Sequence, residues 1–440
     1  MDMPVDLLLS NGIVILEGRE VVRSVGVSSG KIEGIYAVGR EPTASERIDC
    51  EGMHILPGAI DIHVHLRDLG ESDKETFETG TRAAAAGGVT TVIDMPNSKP
   101  PILGSEDLEG KIACAEIDRY VNVGFYAGIP KKTADFDKTM LPQILGMKVY
   151  PHAPLDKGTR YTKKRALECL KLSAQYNIPL LLHPDAASRT KKPKALSDYL
   201  LLHSCESEVK SLKLFLSVRD QVRGRLHVCH VSCGTTARLI AENRAEETLT
   251  AEVTPHHLFL SGGGFTHKDG TAKMLPPLRS PYDNVALLEG LTKTCAIDCV
   301  ASDHAPHRKD EKTVSFLEAE AGTPGLETTV PLMLTEVFKG NISWIDYLRF
   351  CCSGPAKILN IHGKGVLTQG YDADIVVVAK EEWEIRGADF QSMAKVTPFE
   401  GRPVSARPII TIVEGNIVYD RGEFLVDPGM VGRVPVRKVW

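Results

Sequence analysis

The chain has 440 residues, and its 42% hydrophobic and 25% charged residues match the composition of globular proteins. Its length exceeds the usual size of one domain, which favours a large barrel-type domain with a smaller satellite. The formal net charge of −5 provides no basic surface of the kind that nucleic-acid binding requires. We therefore expect a small-molecule substrate and no nucleic-acid partner.

The N-terminus and the cysteines indicate the compartment. The opening MDMPVDLLLSNG carries acidic residues where a signal peptide carries positive charge, and its apolar run is too short to span a membrane. The ten cysteines are scattered without the CxxC pairs of a zinc ribbon, as expected of small core residues in a reducing environment. These features predict a cytoplasmic protein with no membrane partner.

Short strands come first along the chain. The segments LLLSNG, IVILEG, VGVSSG and KIEGIYAVG alternate apolar residues with turn signals, which predicts a small antiparallel sheet before Ala59. The same composition returns after Gly365, in YDADIVVVA and RPIITIVEGNIVYDRGEF. We expect the two ends of the chain to pair into one sheet.

Between these ends, apolar strands alternate with helical stretches. Strands are predicted at AIDIHVHL, VTTVIDM, YVNVGFYAGI, MKVY, IPLLLH, RLHVCHVS, LTAEVT and IDCVASD. Eight such repeats over about 250 residues are typical of an α/β protein with a (β/α)8 TIM barrel. A doubly wound open sheet is less favoured because the sequence has no glycine-rich nucleotide loop.

Polar residues stand where several of these strands end, which is where barrel enzymes assemble their sites. His63 and His65 close the first strand as HVH, and period-two alternation points both side chains to one face. Taken alone, HxH is more often a partly exposed strand end. His183 ends an apolar run, where an imidazole needs a partner or a metal ion. Asp303 follows the eighth strand. A carboxylate at this point could bind a metal ion, move protons or simply cap a helix.

The sixth and fourth strands add two further candidates. His227 and His230 are three residues apart, so a continuous strand would point them to opposite faces. We assign His230 to the site and His227 to the supporting structure. Lys148 lies on the fourth strand, where an unpaired ammonium is costly to bury. It is either part of a buried ion pair or an amine that takes up carbon dioxide to form a carbamate bridging two zinc ions.

The order of these residues resembles that of the amidohydrolase superfamily, whose ligands are HxH, lysine, histidine, histidine and aspartate. The segments LPGAIDIHVHLRD, GGVTTVIDMPNSKPP, HVCHVS, AEVTPHHLFLS, ASDHAPH, GTPGLET and TPFEGRPV are similar to those of class I dihydroorotases and cover most of the chain. The resemblance implies a barrel with a composite β-sandwich. The expected division is 1–57 and 365–440 for the sandwich and 58–364 for the metal-dependent barrel.

The resemblance also implies a site with two zinc ions. By analogy His63 and His65 hold the more buried ion together with Asp303, and His183 and His230 hold the other. A carbamylated Lys148 bridges the two ions together with a hydroxide that acts as the nucleophile. Asp303 is in addition the expected general acid and base.

Substrate contacts follow from the same resemblance. Arg67, Asn97 and His307 are expected to bind a substrate carboxylate, because an arginine fork matches a carboxylate in two hydrogen bonds. Without the resemblance, a surface salt bridge, a turn cap and a loop histidine would be preferred. Leu275 stands where many class I relatives have an asparagine that contacts the substrate ring. Only the main chain of Leu275 could replace that hydrogen bond.

The expected activity is the reversible interconversion of N-carbamoyl-L-aspartate and L-dihydroorotate in pyrimidine synthesis. The nearest alternatives are an allantoinase or a dihydropyrimidinase, and Arg67 argues against both because their rings lack the dihydroorotate carboxylate. An inactive scaffold is a third alternative, but such proteins typically lose metal ligands that are present here. We further expect a homodimer and an association with aspartate carbamoyltransferase.

Overall fold

The computed structural model describes residues 4–187, 193–244, 248–266 and 268–435. The strands are β1 Val5–Leu16, β2 Arg19–Ser28, β3 Lys31–Tyr36, β4 Ala44–Asp49, β5 His54–Pro57, β6 Ala59–Val64, β7 Val89–Asp94, β8 Asn122–Gly128, β9 Ile144–Val149, β10 Leu180–Leu182, β11 Leu226–Val228, β12 Leu249–Val253, β13 Cys299–Val300, β14 Ile375–Glu384, β15 Pro403–Val413, β16 Asn416–Asp420 and β17 Glu423–Phe424.

The α-helices cover the barrel and connect its strands. They are α1 Phe77–Ala86, α2 Ser105–Asp118, α3 Lys163–Tyr176, α4 Leu196–Leu202, α5 Cys205–Arg219, α6 Gly234–Glu242, α7 Pro255–Phe259, α8 Pro281–Thr292, α9 Lys309–Lys312, α10 Leu326–Phe338, α11 Trp344–Leu348 and α12 Gly354–Leu359. Among the described residues, no helix combines the length and the apolar character needed to cross a membrane.

The central sheet is a barrel of eight parallel strands. Strands β6 to β13 pair in chain order. Seven of them lie within a predicted segment, and β9 overlaps MKVY but begins three residues earlier, at Ile144. The first and last strands meet where Val64 bridges His304 in parallel and the amide of His65 donates to the carbonyl of His304 at 2.8 Å. The predicted TIM barrel is confirmed, and the open doubly wound sheet is excluded because its two edges are joined.

Both faces of the barrel strands are apolar because both are covered. Inward side chains such as Ile62, Ile93 and Leu145 form one buried cluster inside the barrel. Outward side chains such as Val92 and Val149 pack into a larger core under the helices. Turn and cap residues fix where the helices begin, as in α1, where Thr76 and Thr79 form a capping box. The sequence therefore directs the carboxyl ends of the strands to one common edge.

The two chain ends form a second sheet, as expected. Its strand order is β17-β16-β15-β14-β5-β1-β2-β3, with β4 added alongside β1. The ends are joined where β14 pairs with β5 in antiparallel register, from Ile375 opposite Pro57 to Val378 opposite His54. One face of this sheet has its own apolar core, whereas Val376 and Val378 belong to the core of the barrel helices. The division at 57/58 and 364/365 stays a prediction.

Candidate active site

A cavity of about 310 Å³ opens at the carboxyl ends of the barrel strands. Its volume is within the range of small-molecule sites. It is lined by nine of the ten residues singled out from the sequence, namely His63, His65, Arg67, Asn97, His183, His230, Leu275, Asp303 and His307. The tenth, Lys148, is buried on β9 and contacts Cys229 inside the barrel.

The two histidines of HVH point one nitrogen each at Asp303. Nδ1 of His65 bonds Asn97 Oδ1 at 2.7 Å, and Nδ1 of His63 bonds the buried carboxylate of Glu252. The Nε2 atoms lie 3.1 Å (His65) and 3.4 Å (His63) from Oδ1 of Asp303. Because both Nδ1–H groups are donated away from the site, two imidazole lone pairs and a carboxylate oxygen face one another.

Charge around Asp303 keeps it ionised. Burial alone would raise the pKa of this carboxyl group, but the adjacent imidazoles of His63 and His65 outweigh burial and hold the pKa well below its ordinary value. Burial and the charge of Lys148 in turn lower the pKa of His63, which favours the neutral imidazole. The pair therefore consists of an anionic oxygen and a neutral nitrogen donor.

A second pair of imidazoles completes the ring of donors. Nδ1 of His183 lies 2.8 Å from Nε2 of His230, and burial lowers the pKa of both residues well below the ordinary histidine value. The opposite nitrogens, His183 Nε2 and His230 Nδ1, are buried and have no hydrogen-bond partner within the described parts of the chain. The rings of His230 and His63 are 5.2 Å apart between centroids, so the two donor pairs are adjacent.

Lys148 is buried and 1% exposed, between the two pairs of donors and the barrel core. Its Nζ atom donates to Cys229 Sγ at 2.8 Å and lies 5.1 Å from the centre of the Tyr150 ring. Within the described residues, it forms no ion pair with a carboxylate. An ion-paired lysine, the first sequence alternative, is therefore not what the structure has.

The donor set fits divalent metal ions. His63, His230 and Asp303 offer ligand atoms that lie within 4.8 Å of one another, and nitrogen and carboxylate oxygen donors suit zinc. Lone pairs of His65 Nε2 and Asp303 Oδ1 that face each other repel unless a cation lies between them. At His183 and His230, the nitrogens that have no partner among the described residues, His183 Nε2 and His230 Nδ1, are the observation that favours a metal ion.

Glu252 is a site residue that sequence reasoning missed. From β12 it bonds Nδ1 of His63, Nε2 of His227 at 3.0 Å and the amide of His230 at 3.1 Å. A carboxylate behind a metal-binding imidazole fixes its tautomer and orientation. The signal was an acidic residue inside the otherwise apolar strand LTAEVT.

Contrary to the prediction from the sequence, the side chains of His227 and His230 do not point to opposite faces of the sheet. His227 bonds Glu252 behind the site, in the supporting position assigned to it, and His230 lines the cavity. Both lie inside the barrel. Strand β11 ends at Val228, and His230 has a φ of +33°, so the alternation of the strand does not continue to it.

Arg67 presents an unpaired guanidinium group to the cavity. Its Nε donates to Pro306 O at 3.2 Å, and its Nη2 lies 3.3 Å from His307 Nε2. Among the described residues, no carboxylate is within ion-pair distance of Arg67. Burial lowers the pKa of this group, because removing it from water penalises the charge.

The other residues expected to contact the substrate differ in whether they still have a hydrogen-bonding group to offer. The amide nitrogen of Asn97 is left over once its Oδ1 has bonded His65. His307 instead bonds Ala321 O at 3.1 Å and Lys74 Nζ at 3.4 Å, and burial beside Arg67 lowers its pKa to about 2. Leu275 lines the cavity with an apolar side chain.

A larger cavity of about 850 Å³ lies between α10 and the strands β14 to β16. It is lined by the mixed charges of Glu327, Glu384, Arg407 and Arg421. Its lining includes none of the candidate metal ligands. The smaller cavity is therefore the candidate active site, because it combines the candidate metal ligands with the guanidinium of Arg67.

A model of the amidohydrolase family matches residues 54–418. The chain belongs to the amidohydrolase family. Among curated members, dihydroorotase of Pyrococcus furiosus is 35% identical over 422 residues, covering 95% of this chain and 94% of the relative. Dihydroorotase of Methanothermobacter thermautotrophicus is 36% identical over 432 residues, covering 96% of both chains. Dihydroorotase of Staphylococcus aureus is 35% identical over 429 residues, covering 94% of this chain and 99% of the relative.

Solved structures of the family have the same fold. The L-hydantoinase (dihydropyrimidinase) of Arthrobacter aurescens superposes with a TM-score of 0.88 at 27% identity, covering 98% of this chain and all of that chain. The dihydropyrimidinase of Brevibacillus agri gives a TM-score of 0.88 at 23% identity, covering 98% of this chain and 99% of that chain. The second likeness concerns the fold alone.

Proposed function

We propose that this amidohydrolase is a dihydroorotase, a cyclic amide hydrolase that interconverts L-dihydroorotate and N-carbamoyl-L-aspartate. One observation carries the substrate assignment. The guanidinium of Arg67, which has no carboxylate partner among the described residues, lies half-buried in the cavity beside the candidate metal ligands, and a cation in this position favours an anionic ligand. The curated relatives that match nearly the whole chain, and that carry the name dihydroorotase, support the same choice.

The proposed cofactor is a pair of zinc ions. His63, His65 and Asp303 would hold one ion, His183 and His230 the other, and a carbamylated Lys148 would join them. When bound, zinc supplies Lewis acidity that polarises an amide carbonyl and favours the ionisation of water. The unpaired, buried amine of Lys148 supports the carbamate, because carbamylation would replace an uncompensated cation with an anionic ligand.

The residues of the chain would then orient the ring and move one proton. Arg67 and the free amide nitrogen of Asn97 would bind the substrate carboxylate, and His307 would join them by exchanging its bond to Ala321. Asp303, ionised at rest, would take a proton from water and deliver it to the leaving ring nitrogen. In the cyclisation direction the same carboxylate would remove the proton from the attacking ureido nitrogen.

The second candidate is a dihydropyrimidinase, which the solved structures of hydantoinases favour. Dihydrouracil and hydantoin have similar rings but lack the carboxylate. A site for these rings would leave the guanidinium of Arg67 without an anionic partner after binding, which is unfavourable once the bound ring shields this group from water. Dihydroorotate is therefore preferred.

The test is hydrolysis by the purified, zinc-loaded protein of L-dihydroorotate, dihydrouracil and allantoin in parallel. We expect turnover of dihydroorotate alone, and we expect Arg67→Lys to lower kcat/KM by about a hundredfold because bidentate binding is lost. Arg308→Lys, outside the cavity and paired with Asp73, is the matched control. Turnover of uncharged rings only would contradict the substrate, and no turnover with zinc bound would favour the inactive scaffold.

We propose in addition a homodimer that associates with aspartate carbamoyltransferase. Size-exclusion chromatography with light scattering, alone and with that enzyme, tests both proposals. A single monomeric peak in both experiments would contradict them.

A further inference from the structure

Tyr150 lies directly after β9 and faces the barrel interior. It is two residues beyond Lys148, so both side chains point to the same side. Its ring centroid is 5.8 Å from that of His183, and it contributes to the lining of the 310 Å³ cavity. The side chain is 7% exposed. Tyr150 is thus part of the wall of the candidate active site.

The hydroxyl group of Tyr150 lacks a partner. Its Oη is buried, and no hydrogen-bond partner is found for it within the described residues. Tyr126, the neighbouring tyrosine of the barrel interior, instead donates from its Oη to Ile62 O at 2.9 Å. Buried hydroxyl groups are nearly always hydrogen-bonded, because an unmade bond costs free energy. An unpartnered hydroxyl in the wall of a ligand cavity points to a partner that arrives with the ligand.

The surroundings of this hydroxyl determine what it can bind. Its ring adjoins two candidate metal ligands, since Nζ of Lys148 is 5.1 Å from the ring centre and the ring centroid of His183 is 5.8 Å away. A tyrosine hydroxyl ordinarily ionises only at about pH 10, so at neutral pH it is a neutral O–H donor. A neutral donor suits a carbonyl oxygen, whereas the guanidinium of Arg67 suits the carboxylate.

The residue expected to contact the substrate ring offers no side-chain donor. Leu275 contributes an apolar side chain, and His307 is engaged with Ala321 and Lys74. A ring carbonyl oxygen near Leu275 would therefore need a donor from another part of the cavity wall. Tyr150 supplies a hydroxyl of the required kind on the wall of the same cavity.

We propose that Tyr150 is a substrate-binding residue whose hydroxyl donates a hydrogen bond to a ring carbonyl oxygen of a cyclic amide in the cavity. This inference rests on the proposed function for the identity of the ring acid. It assigns recognition of the ring to the residue that follows β9, where a neutral hydroxyl group would bind a carbonyl oxygen. The cationic Arg67 would bind the carboxylate.

Tyr150→Phe in the full-length, zinc-loaded enzyme tests the proposal, because only the hydroxyl is removed. We expect KM for L-dihydroorotate to rise roughly three- to tenfold, the value of one neutral hydrogen bond, with little change in kcat. The dissociation constant of orotate, the unsaturated ring acid, is expected to rise by the same factor in calorimetric titration. Tyr347→Phe is the matched control, because Tyr347 has an equally buried, unpartnered hydroxyl on α11 and does not line the cavity.

The zinc content and the ¹³C NMR signal of a carbamate formed with labelled bicarbonate are measured on both variants. Unchanged zinc and carbamate with weaker ring binding support the proposal. Unchanged KM and dissociation constant overturn it. Loss of the carbamate signal or of zinc also overturns it, because the hydroxyl would then serve Lys148.

Failure of the proposed function gives a different result. If the wild type hydrolyses only uncharged rings, dihydroorotase activity is refuted, but the effect of Tyr150→Phe on KM for those rings still tests the hydroxyl. If the wild type hydrolyses none of the rings, binding of orotate decides the matter. A Kd that rises in the variant supports the proposal, and an unchanged Kd or the absence of binding overturns it.

Discussion

At the scale of single residues, the site depends on a carboxylate and an amide carbonyl group that hold the imidazoles of His63 and His65 in one orientation. Glu252 does this for His63 from a distance of 189 residues along the chain, and Asn97 does it for His65. Fixing the hydrogen on Nδ1 aims Nε2 at the position where a cation fits. Metal affinity is therefore set by these supporting groups as well as by the ligands.

Glu252→Gln tests this support. The amide keeps the shape of the side chain but loses its negative charge. Burial alone would raise the pKa of Glu252, but His63 and His227 outweigh burial and lower it, so the wild-type side chain is ionised. Metal affinity is expected to fall by about 10- to 100-fold, with activity falling in parallel at limiting zinc. Competition for zinc with a chromogenic chelator measures the change. Asp372→Asn, an equally buried carboxylate in the end sheet, should keep wild-type affinity, and equal affinity of both variants would refute the role of Glu252.

Residues at strand ends could be predicted from the sequence, whereas their partners could not. His63, His65, His183 and Asp303 follow apolar runs, so their common edge follows from the barrel order. The partner of each imidazole comes from another strand, and one sequence does not reveal which side chains meet across a barrel. The direction of the His230 side chain depends on where β11 ends, and the period-two pattern of the sequence does not reveal that end.

At the scale of elements, the helix junctions behind the site are packed backbone against backbone. Gly87 ends α1, and a Cβ added there would lie 2.2 Å from the carbonyl oxygen of Leu326, the first residue of α10. Gly325 before α10 is similarly close to Ser302, which precedes Asp303. Small residues at these two junctions therefore set how closely α1 approaches α10, and how closely α10 approaches the segment that leads to Asp303.

Gly87→Ala is expected to destabilise the protein by about 1–3 kcal/mol, because the Leu326 carbonyl is backbone and cannot turn away. Gly110→Ala, within α2, is the matched control with the opposite sign. Its nearest neighbour would be Leu69 Cδ1 at 3.7 Å, and alanine stabilises a helix interior by about 0.8–1 kcal/mol over glycine. Thermal unfolding of both variants measures the difference. A lower melting temperature for Gly110→Ala than for Gly87→Ala would contradict the packing argument.

The segment from α9 to α10 is held by a buried lysine. Lys312 donates to the carbonyl groups of Lys273 at 3.0 Å and Glu320 at 2.8 Å, next to cavity-lining residues. Burial, and then the charge of Lys273, lowers its pKa to about 7. In the unfolded chain a lysine titrates near about 10.4. Between these values the unfolded state holds a proton that the folded state does not, so this residue makes the free energy of unfolding rise with pH.

Lys312→Met removes that dependence. The difference in the free energy of unfolding between wild type and variant is expected to grow in favour of the wild type from pH 7.5 to 9.5, by at most about 1.4 kcal/mol per pH unit. Urea denaturation at several pH values measures it. Lys309→Met, exposed on the same helix, should show a constant difference. A constant difference for Lys312→Met as well would exclude the low pKa.

The sequence revealed where the strands lie more readily than which strands pair and in what register. All eight barrel strands coincide with apolar segments, because strands covered on both faces are continuously apolar. The pairing of both chain ends was expected from composition, but the register that places Ile375 opposite Pro57 was not. Strand order in such a sheet depends on contacts between residues more than 300 positions apart, which local patterns do not encode.

At the scale of the whole molecule, the end sheet and the barrel share one core. Ala406 and Val413 of β15 lie in the same buried cluster as the alanines of α1. Polar groups join the two parts as well, since Asn122, the first residue of β8, donates to Asp374 Oδ2 at 3.0 Å. The sheet therefore supports the bottom of the barrel, opposite the site, and we expect both parts to unfold in a single transition.

Asp374→Ala tests this coupling. Asp374 also accepts from Lys364 Nζ at 2.6 Å and from the amide of Glu414 at 2.9 Å, and it is 4% exposed. Removing it leaves Asn122 without this acceptor and leaves Lys364 with Asp372 alone, at a cost of about 3 kcal/mol. Calorimetry should show a lower melting temperature for the whole transition, whereas Asp310→Ala, at an exposed carboxylate paired with Arg308, should not change it. The contrary result would be two calorimetric transitions, an early one for the sheet and one for the barrel at the wild-type temperature. It would mean that the sheet folds independently, because the lost contacts would then destabilise only one of the two parts.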